Sequence, residues 1–359
     1  MTAFGIASRF CPNPAGEISD RKTLPKTLPR RGNPDEVHAM GLKLHVAVVC
    51  LSLFLAGESS AGDWPNRAVK VVAPVGPGGY TDVMARVTTD RLARMFGKPF
   101  VVENRAGAGG LIGTEYVTRS APDGYTLWFG GGAQFTSAPL IKKLPYDPVT
   151  GLAPISMFVM NGLGLVVPPT LPVKNLSEFV AYAKARPGKI NYGISGTGQS
   201  THLAAALWAS REKLDLVMVP YPTVPASMLG VMTGEVQMYF GNMVDLVEQV
   251  RSKKVRLLAV SSSKRLALFP DTPTFVEEQR DFTFTSWVGY FTPTGTPAGI
   301  IDKLSKAVSD VCREQEVIDL ITGMGAECIG SSPGELAAAI QADLPLAKAA
   351  VDAAGLSGK

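Results

Sequence analysis

Two short stretches of small residues lie where a predicted strand gives way to a predicted helix, and both could bind an anion. In the first, "APVGPGGYTDVMAR" (residues 73–86), an apolar run ends in Gly78 and Gly79 before a helical pattern begins. Glycines have no Cβ, so a ligand can closely approach their backbone N–H groups. The free N–H groups and the dipole of a helix N-terminus favour an anion. Thr81 or Asp82 is expected to cap this helix. A tight turn that binds no ligand is the alternative.

The second stretch, residues 191–208, repeats this layout further along the chain. A strand pattern ends in small residues, and a helix follows from Ser200 or Thr201. The small residues are Ser195, Gly196, Thr197 and Gly198. If the two stretches lie on opposite sides of a cleft, both can offer N–H and hydroxyl donors to one carboxylate, which has about four lone-pair sites.

A hydrolase that uses Ser195 and His202 is the enzymatic alternative. The sequence "GISGT" departs from the Gly-x-Ser-x-Gly nucleophile motif at Thr197. His202 lies on the helix directly after Ser195, whereas a hydrolase triad usually takes its histidine from elsewhere in the chain. We therefore expect no catalysis. His202 is expected either to point into the cleft as a hydrogen-bond donor or to cap its own helix.

Cofactor and metal sites are not predicted. The glycines of "NRAGAGGLIG", residues 104–113, miss the spacing of a dinucleotide-binding loop, so a loop that permits close packing is expected there. Removal of an export signal would leave His202, Cys312 and Cys328, which are too few for a zinc cluster. Export would permit a disulfide between the two cysteines. Two buried thiols are favoured instead, because the sequence does not show whether the side chains face each other.

The first sixty residues are interpreted as an export signal rather than as fold. From Met40, a short basic start precedes an apolar run over 46–56 that is too short to span a bilayer, and small residues lead up to Ala61. This pattern predicts a Sec-type signal peptide over 40–61, cleaved after Ala61, and a periplasmic mature protein. We hypothesise that Met40 is the true start and that residues 1–39 are a non-native or disordered extension.

Composition and charge indicate a folded globular protein. The chain has 359 residues, 46% of them hydrophobic and 18% charged, with a formal net charge of +4. That length is enough for two domains. No basic stripe with interleaved aromatic residues appears, so no nucleic-acid partner is expected.

Strand-like and helix-like segments alternate from residue 68 onward, which predicts parallel sheets covered by helices. Long apolar runs near residues 163–167 and 284–290 interrupt the alternation and predict two crossings between lobes. The predicted fold class is therefore α/β, with two lobes and a ligand cleft between them. The first lobe is expected to contain 62–164 and 286–359, including the C-terminal helices, and the second lobe 165–285.

Several segments together resemble one family, the tripartite tricarboxylate transporter substrate-binding receptors, also called the Bug family. The resemblance covers nearly all of the mature chain. The segments that carry it include "WPNRAVKVVAPVGPGGYTDVMAR", "VVENRAGAGG", "APDGYTL", "KINYGISGTGQSTHLA" and "TSWVGYFTPTGTP". The resemblance implies a fold like that of type II periplasmic binding proteins and a small carboxylate ligand. It also implies a membrane permease with a large and a small subunit as partner.

The resemblance also implies where the ligand binds. One carboxylate would be held, partly through ordered waters, by the loops that match Gly78-Gly79 and residues 195–201. With the helix-terminus argument, the predicted ligand-binding set is Gly78, Gly79, Tyr80, Asp82, Gln134, Ser195, Gly196, Thr197, Thr201, His202 and Asn242. Within this set, Asp82 is expected to shape the first loop, because two close anions repel. Gln134 and Asn242 are expected to face the variable end of the ligand.

Two departures from the family pattern bear on specificity. The family often has an aspartate after "MYF", whereas this chain has Gly241 and then Asn242, which argues against amino-acid ligands. Tyr80 replaces a commonly small residue and is expected to narrow the cleft or stack on an aromatic ligand. The predicted function is capture of a di- or tricarboxylate or an aromatic carboxylate by a monomeric receptor that delivers it to a transporter. A receptor that reports to a membrane signalling protein is the alternative.

Overall fold

The structure is a computed structural model that describes residues 64–358. The predicted signal peptide and the extension before it lie outside these residues. Alternating strands and helices form the described part of the chain, as the sequence pattern predicts. The strands are β1 (Val69–Ala73), β2 (Phe100–Asn104), β3 (Thr126–Gly131), β4 (Leu152–Val167), β5 (Ile190–Ile194), β6 (Leu216–Pro220), β7 (Met238–Asn242), β8 (Arg256–Val260), β9 (Thr285–Pro293) and β10 (Ala326–Cys328).

Helices follow most of the strands. They are α1 (Tyr80–Phe96), α2 (Leu111–Thr118), α3 (Ala133–Thr136), α4 (Ala138–Ile141), α5 (Pro148–Gly151), α6 (Leu176–Lys184), α7 (Ser200–Arg211), α8 (Val224–Thr233), α9 (Met243–Arg251), α10 (Ala298–Val311), α11 (Gln315–Gly323) and α12 (Pro333–Ala353). The sequence predicts two helices after β9, but the described chain has three, because the first ends at Val311 and a new helix begins at Gln315.

The strands run in the order β2-β1-β3-β9-β4-β7-β5-β6, with β8 and β10 also paired to β4. β1 pairs in parallel with β2 and β3, and β5 pairs in parallel with β6 and β7. Each parallel group belongs to one lobe of an α/β fold. Since ligands bind at the carboxyl ends of such strands, the loops after β1, β3 and β5 are the expected binding loops.

One long strand carries the chain from the first lobe to the second. In β4, Leu152–Gly162 pair with β9, and pairing with β7 begins at Leu163. The return crossing comes just before β9, where Phe284 donates its N–H to Ser261 and Thr285 pairs with Gly162. The two crossings therefore lie side by side at the lobe junction.

The last helix, α12, packs against both lobes. Near its start, Leu336 and Ile340 belong to a buried cluster with Trp128 of β3. Near its end, Ala350 and Val351 belong to the main buried cluster of the second lobe. The expectation that all of residues 286–359 belong to the first lobe does not account for these contacts.

Cys312 and Cys328 form a disulfide, with their Cα atoms 5.4 Å apart. The expectation of two separate buried thiols is wrong. Cys312 follows α10 and Cys328 ends β10, and both pack against the core of the first lobe. The bond closes a segment with a sequence separation of 16 residues.

A membrane-spanning helix is not found among residues 64–358, since none of the helices there combines sufficient length with sufficient apolar character.

Candidate functional site

The first loop, residues 74–79, joins β1 to α1 and is fixed by Asp82. Gly78 has φ +85°, a conformation that favours glycine, and it donates its N–H to Asp82 Oδ2 at 2.9 Å. Asp82 is buried and also accepts hydrogen bonds from Arg86 Nη2 at 2.9 Å and Asn104 Nδ2 at 2.8 Å. Burial opposes the charge of Asp82, but the bonds from Arg86, Gly78 and Asn104 outweigh it and hold its pKa below the usual range.

The second loop, residues 195–199, joins β5 to α7 and has a similar anchor. Gly198 has φ +78° and donates its N–H to Nδ1 of His202 at 3.1 Å. His202 is 2% exposed, and burial lowers its pKa. His202 thus anchors the second loop, while the start of α7 has no side-chain cap, so the expected capping role is not observed. His202 forms no hydrogen bond to Ser195 in the described structure, so these two residues are not arranged as a nucleophile and its base.

These anchors decide which backbone donors remain for a ligand. Gly78 and Gly198 already donate their N–H groups to side chains, so the expectation that Gly78 donates to a ligand is wrong. No hydrogen bond of the described chain uses the N–H groups at the start of the two helices, namely Gly79, Tyr80 and Thr81 for α1 and Ser200 and Thr201 for α7. Neither helix start has a side-chain cap on these groups. Two helix N-termini with free donors remain, which is what an anion needs.

A third loop, residues 105–110, approaches the second loop across a cavity. The cavity has a volume of about 180 Å³ and is lined by residues of both lobes: Ala108, Gly109, Leu111, Ala133, Gln134, Ala138, Ile141, Lys142, Thr197, Gly198 and Gln199. Gln134 lies on the short helix α3 and donates Nε2 to the carbonyl oxygen of Gly109 at 3.2 Å. Ser137 Oγ lies 3.5 Å from the carbonyl oxygen of Gly198. Gln134 and Thr197 therefore both line this cavity.

The glycine-rich loop serves packing as well. A Cβ at Gly113 would lie 2.8 Å from the carbonyl oxygen of Arg105, and one at Gly110 would lie 2.8 Å from Gln134 Nε2. The packing interpretation of residues 104–113 therefore holds for these two glycines. It overlooked that Ala108 and Gly109 line the cavity.

A cluster of polar side chains, which we call the junction cluster, lies where the lobes meet. It comprises Tyr80, Asn161, Tyr239 and Asp245, with Asn242 beside them. Asn161 Nδ2 donates to Asn242 Oδ1 at 3.1 Å, and Asn242 Nδ2 lies 3.5 Å from Asp245 Oδ2. Three atoms of the cluster are buried without a hydrogen-bond partner, namely Tyr80 Oη, Tyr239 Oη and Asn161 Oδ1. Nine other buried side-chain atoms within residues 64–358 also have no partner, so what distinguishes these three is that they are grouped around Asp245, where a ligand could supply the missing bonds.

Electrostatics link the junction cluster to both loops. Burial raises the pKa of Asp245 to about 6, opposed by the Asn242 amide. Burial, and secondly the nearby Asp245 carboxylate, raise the pKa values of Tyr80 and Tyr239. The Ser195 hydroxyl lies close enough to Tyr239 to oppose that shift, although the two do not reach hydrogen-bond geometry. The cluster therefore extends from the helix after the first loop to the start of the second loop.

One specificity expectation needs correction, and the other stays a prediction. The Tyr80 side chain is 6% exposed and packs in the core of the first lobe, so its ring is not free to stack on a ligand. A Cβ at Gly241 would lie 2.6 Å from Tyr239 Cε1, so an aspartate at this position would require the Tyr239 ring to move; the expectation that Gly241 disfavours amino-acid ligands stays a prediction. Asp245, in the first turn of α9, places an acid in the junction cluster. Asp245 and Asn161 are not among the predicted residues, and the only signal for each in the sequence is a polar residue within an apolar segment.

The remaining predicted residues lie in or beside the two loops. Ser195 and Gly196 are partly exposed, Thr197 is exposed and Thr201 is buried. A group of three or more metal-ligating side chains is not found within residues 64–358.

The chain matches a family described as "Tripartite tricarboxylate transporter family receptor" over residues 84–356. It is 33% identical over 306 residues to Protein BugT of Bordetella pertussis, covering 82% of this chain and 93% of that protein.

Two solved structures are similar over most of the chain. One is R. palustris Rpa4515 with adipate, with a TM-score of 0.78, 29% identity and coverage of 82% of this chain and 99% of the other. The second is MatC (Rpa3494) from Rhodopseudomonas palustris with bound malate, with a TM-score of 0.73, 30% identity and coverage of 80% and 100%. The two-lobed arrangement is thus that of these binding proteins.

Proposed function

Because the chain belongs to the tripartite tricarboxylate transporter receptor family, we propose that it captures a small carboxylate between its two lobes and delivers it to a membrane transporter. The observation that carries this proposal is the pair of uncapped helix N-termini that follow the first and second loops, with free N–H groups at Gly79, Tyr80 and Thr81 and at Ser200 and Thr201. Their donors and dipoles favour a carboxylate. The adipate and malate bound to the two similar structures support the same ligand class.

Closure of the cleft follows from the two crossings at the lobe junction. A ligand held by both helix N-termini binds better when the lobes approach, so it shifts the equilibrium between open and closed forms toward the closed form. The neighbouring crossings in β4 near residues 162–163 and before β9 near residues 284–285 are the proposed hinge. The closed form is the one that the membrane subunits of the transporter would recognise. The proposed receptor is a monomer.

Catalysis is not part of the proposed function. Nδ1 of His202 is occupied by the N–H of Gly198, so this nitrogen is not free to take a proton from Ser195. The protein is proposed to bind and release its ligand unchanged, without a cofactor.

Export is the second part of the proposal. We propose that residues 40–61, which lie outside the described residues, direct the chain to the periplasm and are cleaved after Ala61. Mass spectrometry of the exported protein should then give a chain that begins at Gly62. A product that retains residues 40–61 would contradict this part.

A thermal-shift screen tests the binding proposal. The exported protein would be unfolded and refolded to remove carried-over ligand, then screened with di- and tricarboxylates, aromatic carboxylates, amino acids and the matching amides. A ligand at one hundred times its dissociation constant adds about 2.7 kcal/mol to stability, which shifts the midpoint visibly. We expect a shift with one carboxylate class and none with its amides. No shift with any carboxylate would overturn the proposal.

A further inference from the structure

The junction cluster contains more hydrogen-bonding capacity than the protein itself uses. Tyr80 Oη, Tyr239 Oη and Asn161 Oδ1 are buried and have no partner. Asn161 Nδ2 donates hydrogen bonds to the carbonyl oxygen of Gly162 and to Asn242 Oδ1. Only the acceptor oxygen of Asn161, Oδ1, remains without a partner. A buried group without a partner lowers stability, and a ligand or an ordered water can supply the missing bond.

The carboxyl group of Asp245 lies in this cluster and forms no ion pair with a cationic side chain of residues 64–358. Its neighbours are the hydroxyls of Tyr80, from α1, and Tyr239, from β7, together with the Asn242 amide. No lysine or arginine within residues 64–358 forms an ion pair with Asp245. The cleft therefore holds two kinds of site, a pair of helix N-termini that favour an anion and a carboxyl group that disfavours one.

We propose that Asp245 is the specificity-determining residue of the cleft, accepting a hydrogen bond from a hydroxyl or ammonium group of the ligand and rejecting a second carboxylate at that position. The inference rests on the proposed function, because it assumes that the helix N-termini hold the first carboxylate. A ligand hydroxyl can donate to Asp245 or Asn161 Oδ1 and accept from a tyrosine hydroxyl. An ammonium group can donate to both acceptors.

The arrangement of the cluster explains why a dicarboxylate would bind with lower affinity at neutral pH. Its second carboxylate would meet the ionised Asp245 in a partly buried site, where like charges repel strongly. Binding would then require a proton on one of the two carboxyl groups. Because burial raises the pKa of Asp245 to about 6, this proton becomes available as the pH falls toward 5.5.

Three matched ligand series test the proposal by isothermal titration of the exported protein at pH 7.5 and pH 5.5. Each series keeps one carboxylate and varies the far end among methyl or hydrogen, hydroxyl, ammonium and carboxylate. The four-carbon series is butyrate, 4-hydroxybutyrate, 4-aminobutyrate and succinate; the six-carbon series is hexanoate, 6-hydroxyhexanoate, 6-aminohexanoate and adipate. The aromatic series is benzoate, 4-hydroxybenzoate, 4-(aminomethyl)benzoate and terephthalate. Three series are used because they differ in the spacing of the two ends.

In the series that binds, the hydroxyl or ammonium ligand should bind at least about tenfold more tightly than the diacid at pH 7.5, which corresponds to one pKa unit of interaction. In the isosteric Asp245→Asn variant, the affinity for the diacid should come to within about threefold of the affinity for that ligand, and the affinity for the ammonium ligand should fall.

The pH dependence gives a second test. In the wild type, lowering the pH to 5.5 should tighten diacid binding by about tenfold relative to the monoacid, and this gain should shrink in Asp245→Asn. The exposed Asp302→Asn variant is the matched control and should behave as the wild type.

Two results would overturn the inference, and they are distinguishable. If the wild type prefers the diacid at pH 7.5 and Asp245→Asn keeps this order, Asp245 does not set specificity, whereas the proposed function stands. If no member of any series binds and the thermal-shift screen finds no carboxylate ligand, the carboxylate cleft itself is wrong and the inference falls with it. Should Asp245→Asn fail to fold, the wild-type order of affinities at pH 7.5 decides the question alone.

Discussion

The backbone N–H of Gly198 donates a hydrogen bond to Nδ1 of His202 at 3.1 Å, and Gly78 makes the equivalent bond to Asp82 Oδ2 at 2.9 Å. In each loop the donor is a glycine with positive φ and the acceptor is the side chain four residues later. The two loops thus have one geometry and two different acceptors, a neutral imidazole and a carboxylate. Both acceptors can take up a proton, so a low pH should weaken the hydrogen bond that anchors each loop.

His202→Ala should lower the free energy of unfolding by about 1–3 kcal/mol at pH 7.5, because it leaves the buried N–H of Gly198 without an acceptor. His202→Asn should cost less, since the amide oxygen can take the place of Nδ1. Urea denaturation of both variants and the wild type measures the difference. Equal stability of wild type and His202→Ala would show that this bond does not hold the second loop.

The same histidine predicts a pH dependence. Burial lowers the pKa of folded His202 below the ordinary value of 6.5, so the unfolded chain takes up the proton first as the pH falls. The stabilisation by neutral His202 is therefore complete above pH 6.5 and declines as the pH falls through that value toward the folded pKa. Urea denaturation between pH 8 and pH 5 should show that the free energy of unfolding falls more steeply with falling pH for the wild type than for His202→Asn. Parallel curves would contradict this assignment.

Asp82→Asn should destabilise the protein by about 1.5–3 kcal/mol, because charged hydrogen bonds to Arg86 and to the Gly78 loop are lost. Asp90→Asn, an exposed position on the same helix, is the control and should change little. The folded pKa of Asp82 lies below its ordinary value of 3.8, so its stabilisation is present above that pH and is lost as the pH falls below it. Denaturation at pH 7 and pH 3 should show the gap between wild type and Asp82→Asn narrowing in acid.

The sequence pattern predicts most strands and the two loops because each is a local feature. Residues 73–86 contain within themselves the buried strand, the glycines and the helix start that form the first loop. The acceptor roles of Asp82 and His202 also depend on residues only four positions away. Local spacing was therefore sufficient to locate these residues. It was not sufficient to show that the N–H of Gly78 donates to Asp82 rather than to a ligand.

Features that depend on tertiary contacts were not predictable in this way. Asp245 is one acid on an amphipathic helix, and its electrostatic neighbours are Tyr80 of the other lobe and Tyr239 of a neighbouring strand. The apolar residues Leu336 and Val351 of α12 fit a helical pattern equally well, yet they pack in different lobes. Spacing along the chain carries no information on which lobe a helix face will meet.

Replacing both Cys312 and Cys328 by alanine should lower the free energy of unfolding by about 3 kcal/mol. A crosslink with a sequence separation of 16 residues restricts the unfolded chain by roughly that amount. Urea denaturation with and without a reductant measures the effect. Reductant should destabilise the wild type and leave the double variant unchanged. A wild type that is insensitive to reductant under unfolding conditions would show that the two thiols are free.

Gly79→Val should weaken binding of the carboxylate found by the thermal-shift screen by at least about tenfold, or 1.4 kcal/mol. A Cβ at Gly79 would meet no atom within 4 Å, and the backbone there has φ −89° and ψ 173°, which valine adopts readily. The variant should therefore fold, while its side chain occupies the space in front of the free N–H groups of Gly79 and Tyr80. Gly323→Val, at the end of α11, also has no atom near its Cβ and is the matched control. Isothermal titration of both variants, after circular dichroism has verified their fold, separates the outcomes. Loss of affinity in Gly79→Val alone places the carboxylate at the N-terminus of α1, whereas unchanged affinity places it elsewhere.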